Sequence, residues 1–185
     1  MTAPTPATRQ AQSALLAPIP VPEIAQRAEQ VAVLVRTAEQ SPEDAEVQEI
    51  ESQFAAADDW IGRRVVGTAQ TLESVPSASA LATLTDLWRV MRSRLLAWSN
   101  TLTTRATRLE QQVEQVESMR ATWSATREAA VQSAAPASVV DRVDATLQGI
   151  SAARTRVGGR LAHVLGLQDR VVNQQKIYCI FFVTL

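Results

Sequence analysis

Between Ser77 and Ala135 the chain contains neither proline nor glycine. Within that stretch Leu81, Leu84, Trp88, Met91, Leu95, Trp98, Leu102, Leu109, Val113, Val116, Met119 and Trp123 recur at steps of three and four, with a single step of seven. Three and four average 3.5, the period that keeps one face of an α-helix apolar, and the pattern holds for about six heptads. Strong helix formers (Ala, Leu, Arg, Gln, Glu) fill the positions between. One uninterrupted helix is predicted over 77–134. At 1.5 Å per residue it would be roughly 80 Å long, so the expected architecture is all-α: an elongated antiparallel bundle or coiled coil with one very long helix.

Prolines punctuate the remainder. Pro4, Pro6, Pro18, Pro20 and Pro22 lie among Thr, Ala and Gln, so residues 1–21 are expected to be a disordered or extended lead-in. A first helix, about 22–40, follows from Ile24, Ala28, Val31, Leu34, Val35 and Ala38. The run Gln40-Ser-Pro-Glu-Asp44 is a start signal, with Ser41 as cap, Pro42 in the first turn and two acids at the positive end of the dipole. A second helix over 42–74 carries Val47, Ile50, Phe54, Ala57, Ile61, Val65, Thr68 and Leu72, with a kink expected near Asp58, Asp59, Gly62 and Gly67. Pro76 ends it, and Ser77 or Ser79 opens the third helix. Pro136 restarts the chain into a fourth, over 136–175, striped by Val140, Val143, Leu147, Ile150, Val157, Leu161, Val164 and Val171. The short connection at Pro136 favours antiparallel pairing of helices three and four. Off the stripe, Arg105, Arg108, Glu110, Gln111, Gln112, Glu114 and Gln115 are expected to face water.

Composition narrows function. Eighteen basic and nineteen acidic residues leave a net charge of −1, which offers nothing to attract nucleic acid. One cysteine excludes an intrachain disulfide framework. His163, the only histidine, has no second histidine or cysteine within helical reach, so no metal site is expected. Asp58 and Asp59 are adjacent and point apart, which suits a solvated spot better than an acid–base pair. The Arg156–Arg160 segment, RVGGR, follows no strand and is not a phosphate loop; close helix packing or a bend is its expected use. Arg142, Arg154, Arg156, Arg160 and Arg170 alternate with Asp141, Asp144 and Asp169, and local ion pairs on a solvated face are expected. Trp88, Trp98 and Trp123 fall on the stripe and read as core anchors, while Trp60 is expected to pack where the second helix bends. No catalytic residue, cofactor site or small-molecule substrate emerges, and an enzyme is not expected.

Four segments together carry a likeness: PVPEIAQRAEQVAVLVRTAE, the long helix through TRATRLE and ATWSATREAA, the break APASVVDRVDATLQGISAARTRV, and the ending LGLQDRVVNQQ. Over about 20–175 this resembles the N-terminal extracytoplasmic helical region of bacterial mechanosensitive channels of the small-conductance (MscS) family. The resemblance implies a membrane-proximal module on the periplasmic face of the inner membrane that scaffolds or modulates gating without conducting. It also implies partners among neighbouring channel subunits. The pore-lining helix and β-domain of that family have no counterpart in these residues, so no gate residue carries over. Two other readings stand beside it. One is a free-standing coiled-coil protein that self-associates through the Leu81–Trp123 stripe. The other is a membrane-inserting helical effector. The last stretch, QKIYCIFFVTL, holds the only lysine, tyrosine and cysteine of the chain. Its composition reads as a truncated or frame-shifted end over 176–185; the rival reading is a native membrane-contacting tip. Its nine apolar-rich residues from Ile177 fall short of the ~20 a membrane helix needs, and the N-terminal stretch lacks the ~7–15-residue apolar run of a signal peptide.

Overall fold

The computed structural model describes residues 17–39, 43–74 and 76–183, with all side chains in these ranges except those of 38, 39, 43 and 177–183. Helices account for nearly all of them, and no strand occurs among the described residues. A 3-10 turn, Val21–Glu23, leads into α1, Ile24–Glu39. Then come α2, Glu43–Glu73; α3, Ala78–Gln132; and α4, Ala137–Val183. The fold is an all-α bundle in which α3 packs against α4, and the 55 residues of α3 form one helix.

Local chemistry explains the boundaries. The Ser77 hydroxyl accepts from the Ala80 N–H at 3.3 Å, satisfying one of the free donors in the first turn of α3. At the other end, the Ala135 N–H bonds to the Ala130 carbonyl at 3.0 Å and the Ala134 N–H to that of Val131 at 3.2 Å. This is a Schellman arrangement, and it holds Ala134 at φ 51°. Pro136 follows and cannot extend α3, and its carbonyl takes up the Val139 N–H in the first turn of α4. The capping proposed for Ser41 and the side chains of the apolar tail lie outside the described residues.

The chain divides into two compact units, each assembled from distant stretches of sequence. The first joins the chain up to Ser41 with Leu109–Arg160, that is, α1 with the second part of α3 and the first part of α4. Its core comprises Ile24, Val31, Val116, Trp123, Val143 and Ile150, flanked by Ile19, Ala28, Val35, Met119, Val139 and Leu147. The Arg127–Asp144 and Arg154–Glu117 pairs fix the antiparallel register of α3 and α4 here, each joining residues equally far from the midpoint of the connection. Ile19, just before the 3-10 turn, is tied to α3. The Ile19 N–H donates to the Thr126 hydroxyl at 2.9 Å, and that hydroxyl donates to the Thr122 carbonyl at 2.8 Å, so both capacities of a buried group are used. Leu34, placed on the α1 stripe by its spacing, is 56% exposed. Positions 31 and 35 carry the seam inward, and position 34 turns past its edge.

The second unit joins Pro42–Arg108 with Leu161–Leu185, so α2 packs with the first part of α3 and the last part of α4. Val47, Ile50, Phe54, Ala57 and Ile61 of α2 are buried, as are Val164, Leu167 and Val171 of α4. Gln168 Nε2 donates to the Thr103 hydroxyl at 3.0 Å, again in antiparallel register. Gln175 Nε2 reaches the Leu95 carbonyl at 3.0 Å.

Candidate interaction surface

Of the predicted stripe, Leu84, Trp88, Met91, Leu95, Trp98, Leu102, Leu109, Val116 and Trp123 are buried, and Leu81 and Val113 are half-buried. The division into units parts them: residues 81–102 serve the second unit and 109–123 the first. In both, the stripe is covered by other helices of the same chain. The step of seven between Leu102 and Leu109 is filled by Arg105 and Ala106, 4% and 5% exposed.

Arg105 is a correction to the water-facing assignment. Position 105 follows Leu102 by three and precedes Leu109 by four, so helical geometry puts it on the seam. Its guanidinium is accommodated because Nη2 donates to Asp44 Oδ1 at 2.7 Å, across to α2. Gln112 is half-buried as well, while Arg108, Glu110, Gln111, Glu114 and Gln115 face water. The α4 arginines also differ from expectation in their partners: Arg154 pairs with Glu117 of α3 rather than along its own helix. Asp144 likewise takes Arg127 of α3. That carboxylate holds the Arg127 guanidinium above its ordinary pKa, through its hydrogen bond first and its charge second. Gly158 and Gly159 make way for nothing: a Cβ on either would meet no atom within 4 Å, so the close packing expected there does not occur, and α4 continues through both.

The four tryptophans build different things. Trp88 donates its indole N–H to the Thr68 hydroxyl at 3.2 Å and meets Trp60 edge-on, with ring centroids 5.7 Å apart. Trp98 lies against Phe54 at 6.3 Å, with the Arg94 guanidinium 5.4 Å above its ring. Trp123 is in the core of the first unit. Trp60 is only half-buried and carries the Arg64 guanidinium 5.7 Å over its face. His163 is exposed, its Nε2 3.3 Å from Glu51 Oε2, and no group of three potential metal ligands occurs among the described residues. Asp58 and Asp59 are exposed, and Asp58 accepts from Gln174.

Beside Trp60 the surface opens into a groove of about 620 Å³ between α2 and α3. Gln53, Ala56, Ala57 and Trp60 form one wall; Thr83, Asp86, Leu87, Val90, Met91 and Arg94 form the other. The small Ala56 and Ala57 leave room on the α2 side, and Trp60, Leu87 and Met91 give the groove apolar lining. Val90 stands on its rim and is 71% exposed, the most of any large apolar side chain among the described residues. Periodicity does not mark this face, because Val90 lies off the recurring apolar positions of α3. The signal was present in sequence: a β-branched residue off the seam, with an acid four residues before it and an arginine four after. No helix among the described residues is long and apolar enough to cross a membrane. No family model, curated protein or solved structure matches this chain.

Proposed function

We propose that this chain is a non-enzymatic helical interaction module whose binding surface is the outer α2–α3 face. The single observation behind this reading is the contrast between two apolar surfaces of α3. The long stripe is taken up by packing within the chain, so it is not available to a partner. The face that carries Val90 and the α2–α3 groove opens to solvent, and an exposed apolar residue beside a groove with apolar lining is the kind of surface that partners cover. The polar groups turned inward are likewise engaged within the chain: Thr68 and Arg105 join α3 to α2, and Thr126 ties Ile19 to α3. Self-association through the Leu81–Trp123 stripe would require both units to open, so association is assigned to the other face.

Site-specific photo-crosslinking in the cell tests this. A crosslinker at Val90 should trap discrete products, and one at exposed Gln111 should not. Equal, diffuse trapping at both positions would overturn the proposal.

The segment likeness to mechanosensitive channels supports a narrower reading. In it the module sits on the periplasmic face of the inner membrane, near neighbouring channel subunits, and biases gating. The coding sequence downstream tests it. Apolar spans followed by a β-rich domain are the expected order, and any other arrangement removes this reading while leaving the broader one intact.

A further inference from the structure

We propose that the α2–α3 groove receives α3 of a second copy of this chain, in an antiparallel pair whose two-fold axis passes beside Val90. The inference rests on the outer-face reading above and names the occupant. A two-fold interface is self-complementary: each residue at a given distance before the axis meets the residue at the same distance after it on the partner. Around Val90 the α3 sequence satisfies that condition. Asp86 lies four residues before and Arg94 four after, both exposed. Across the axis Asp86 of one copy stands level with Arg94 of the other, and the pairing occurs twice. Four residues is just over one helical turn, so both charges flank the seam at the height of the next turn, within reach of an arginine side chain.

Seven residues to either side are Thr83 and Ala97, both exposed and both small. They face each other in the same arrangement and let the helices approach. In the middle, Val90 of each copy enters the groove of the other, where Ala56 leaves room on the α2 side. Asp86 already pairs with Arg89 of its own helix, but both side chains are more than half exposed, 70% and 66% respectively. An ion pair in that setting exchanges for a new partner at little cost. A foreign helix would need its own matching charges. A second copy carries them by symmetry, which is why the surface favours self-association over an unrelated partner.

Sedimentation of the full chain tests the pairing. The wild type should dimerise at concentrations up to about 0.1 mM, where a complex with Kd ~10 µM is mostly assembled. Asp86→Arg places arginine opposite arginine, and Arg94→Asp places acid opposite acid. Each alone should weaken the dimer by at least ~10-fold. The doubly exchanged chain, Asp86→Arg with Arg94→Asp, should recover it. An equimolar mixture of the two single variants should form a heterodimer, because both contacts are then attractive. Leu34→Arg, on the exposed side of α1, should have no effect on association. Circular dichroism spectra of every variant should show the wild-type helix content, while Tm falls in the single reversals with the loss of the dimer and, in Arg94→Asp, of the Arg94 contact on Trp98. A monomeric wild type overturns the proposal. So does a dimer indifferent to the single reversals, or one not restored by exchange or by mixing. A monomer whose Val90 still crosslinks to another protein would refute the two-fold pairing and leave the interaction-module reading standing.

Discussion

Replacing Trp98 with alanine probes the seam where α3 meets α2. The indole is 8% exposed, lies 6.3 Å from the Phe54 ring and is covered on one face by Arg94. A buried tryptophan removes up to ~250 Å² from water, worth about 6 kcal/mol at ~25 cal/mol per Å². Measured against a denatured chain that already hides ~10–40% of that surface, the term falls to about 4–5 kcal/mol. The cavity left beside Phe54 adds to the loss, and partial collapse of Arg94 into it subtracts. The expected cost is therefore ~3–5 kcal/mol, the range for large aromatic truncations in cores. Urea unfolding followed by circular dichroism measures it directly, with Tm falling by roughly 2–4 °C per kcal/mol for a chain of this length. Arg108→Ala, in the same helix but exposed, should cost less than ~1 kcal/mol. Equal losses at the two positions, or a loss at Trp98 near ~1 kcal/mol, would refute the placement of this seam.

Other consequences follow from local geometry. Ala134 sits at φ 51°, so Ala134→Gly should relieve left-handed strain of ~1–2 kcal/mol, set against ~0.5–1 kcal/mol for glycine's greater freedom when unfolded, and raise the stability of the α3–α4 connection slightly. An unchanged or lowered urea midpoint would contradict this. Thr126→Val removes the acceptor of the Ile19 N–H and should cost ~1–3 kcal/mol, with Thr126→Ser restoring most of it. Hydrogen exchange at Ile19 should accelerate in the valine variant alone. The Arg127–Asp144 contact should be insensitive to pH around neutrality. A base whose folded pKa is raised contributes fully below its unfolded value, and that contribution is lost only as pH climbs through the folded one, in strongly alkaline solution. A double-mutant cycle giving different couplings in mildly acidic and mildly alkaline buffer, both above the carboxylate range, would show that another group governs the pair.

Much of the secondary structure was written locally. Freedom from proline and glycine over 77–135, together with steps of three and four, was enough for α3, because helix formation depends on neighbours within a turn or two. Proline positions marked the breaks for the same reason, and Ser77 and Pro136 act where the pattern placed them. The burial of Trp88, Leu95 and Leu102 was readable as periodicity. What covers them was not. Periodicity states that a face is apolar, and it is silent about whether the cover comes from the same chain or another. Only the tertiary structure assigns α2 and the last part of α4 to one part of α3, and α1 with the first part of α4 to the other. Arg105 shows the limit most plainly. A charge on the seam reads locally as a surface residue, and its burial depends on Asp44, sixty-one residues away, reaching it across a helix interface. Leu34 and Val90 show the converse: apolar by type, they are exposed because the neighbouring positions won the seam. Type and spacing determine which side of a helix is apolar; which apolar residues escape cover, and which charges are enclosed, is decided when the helices meet.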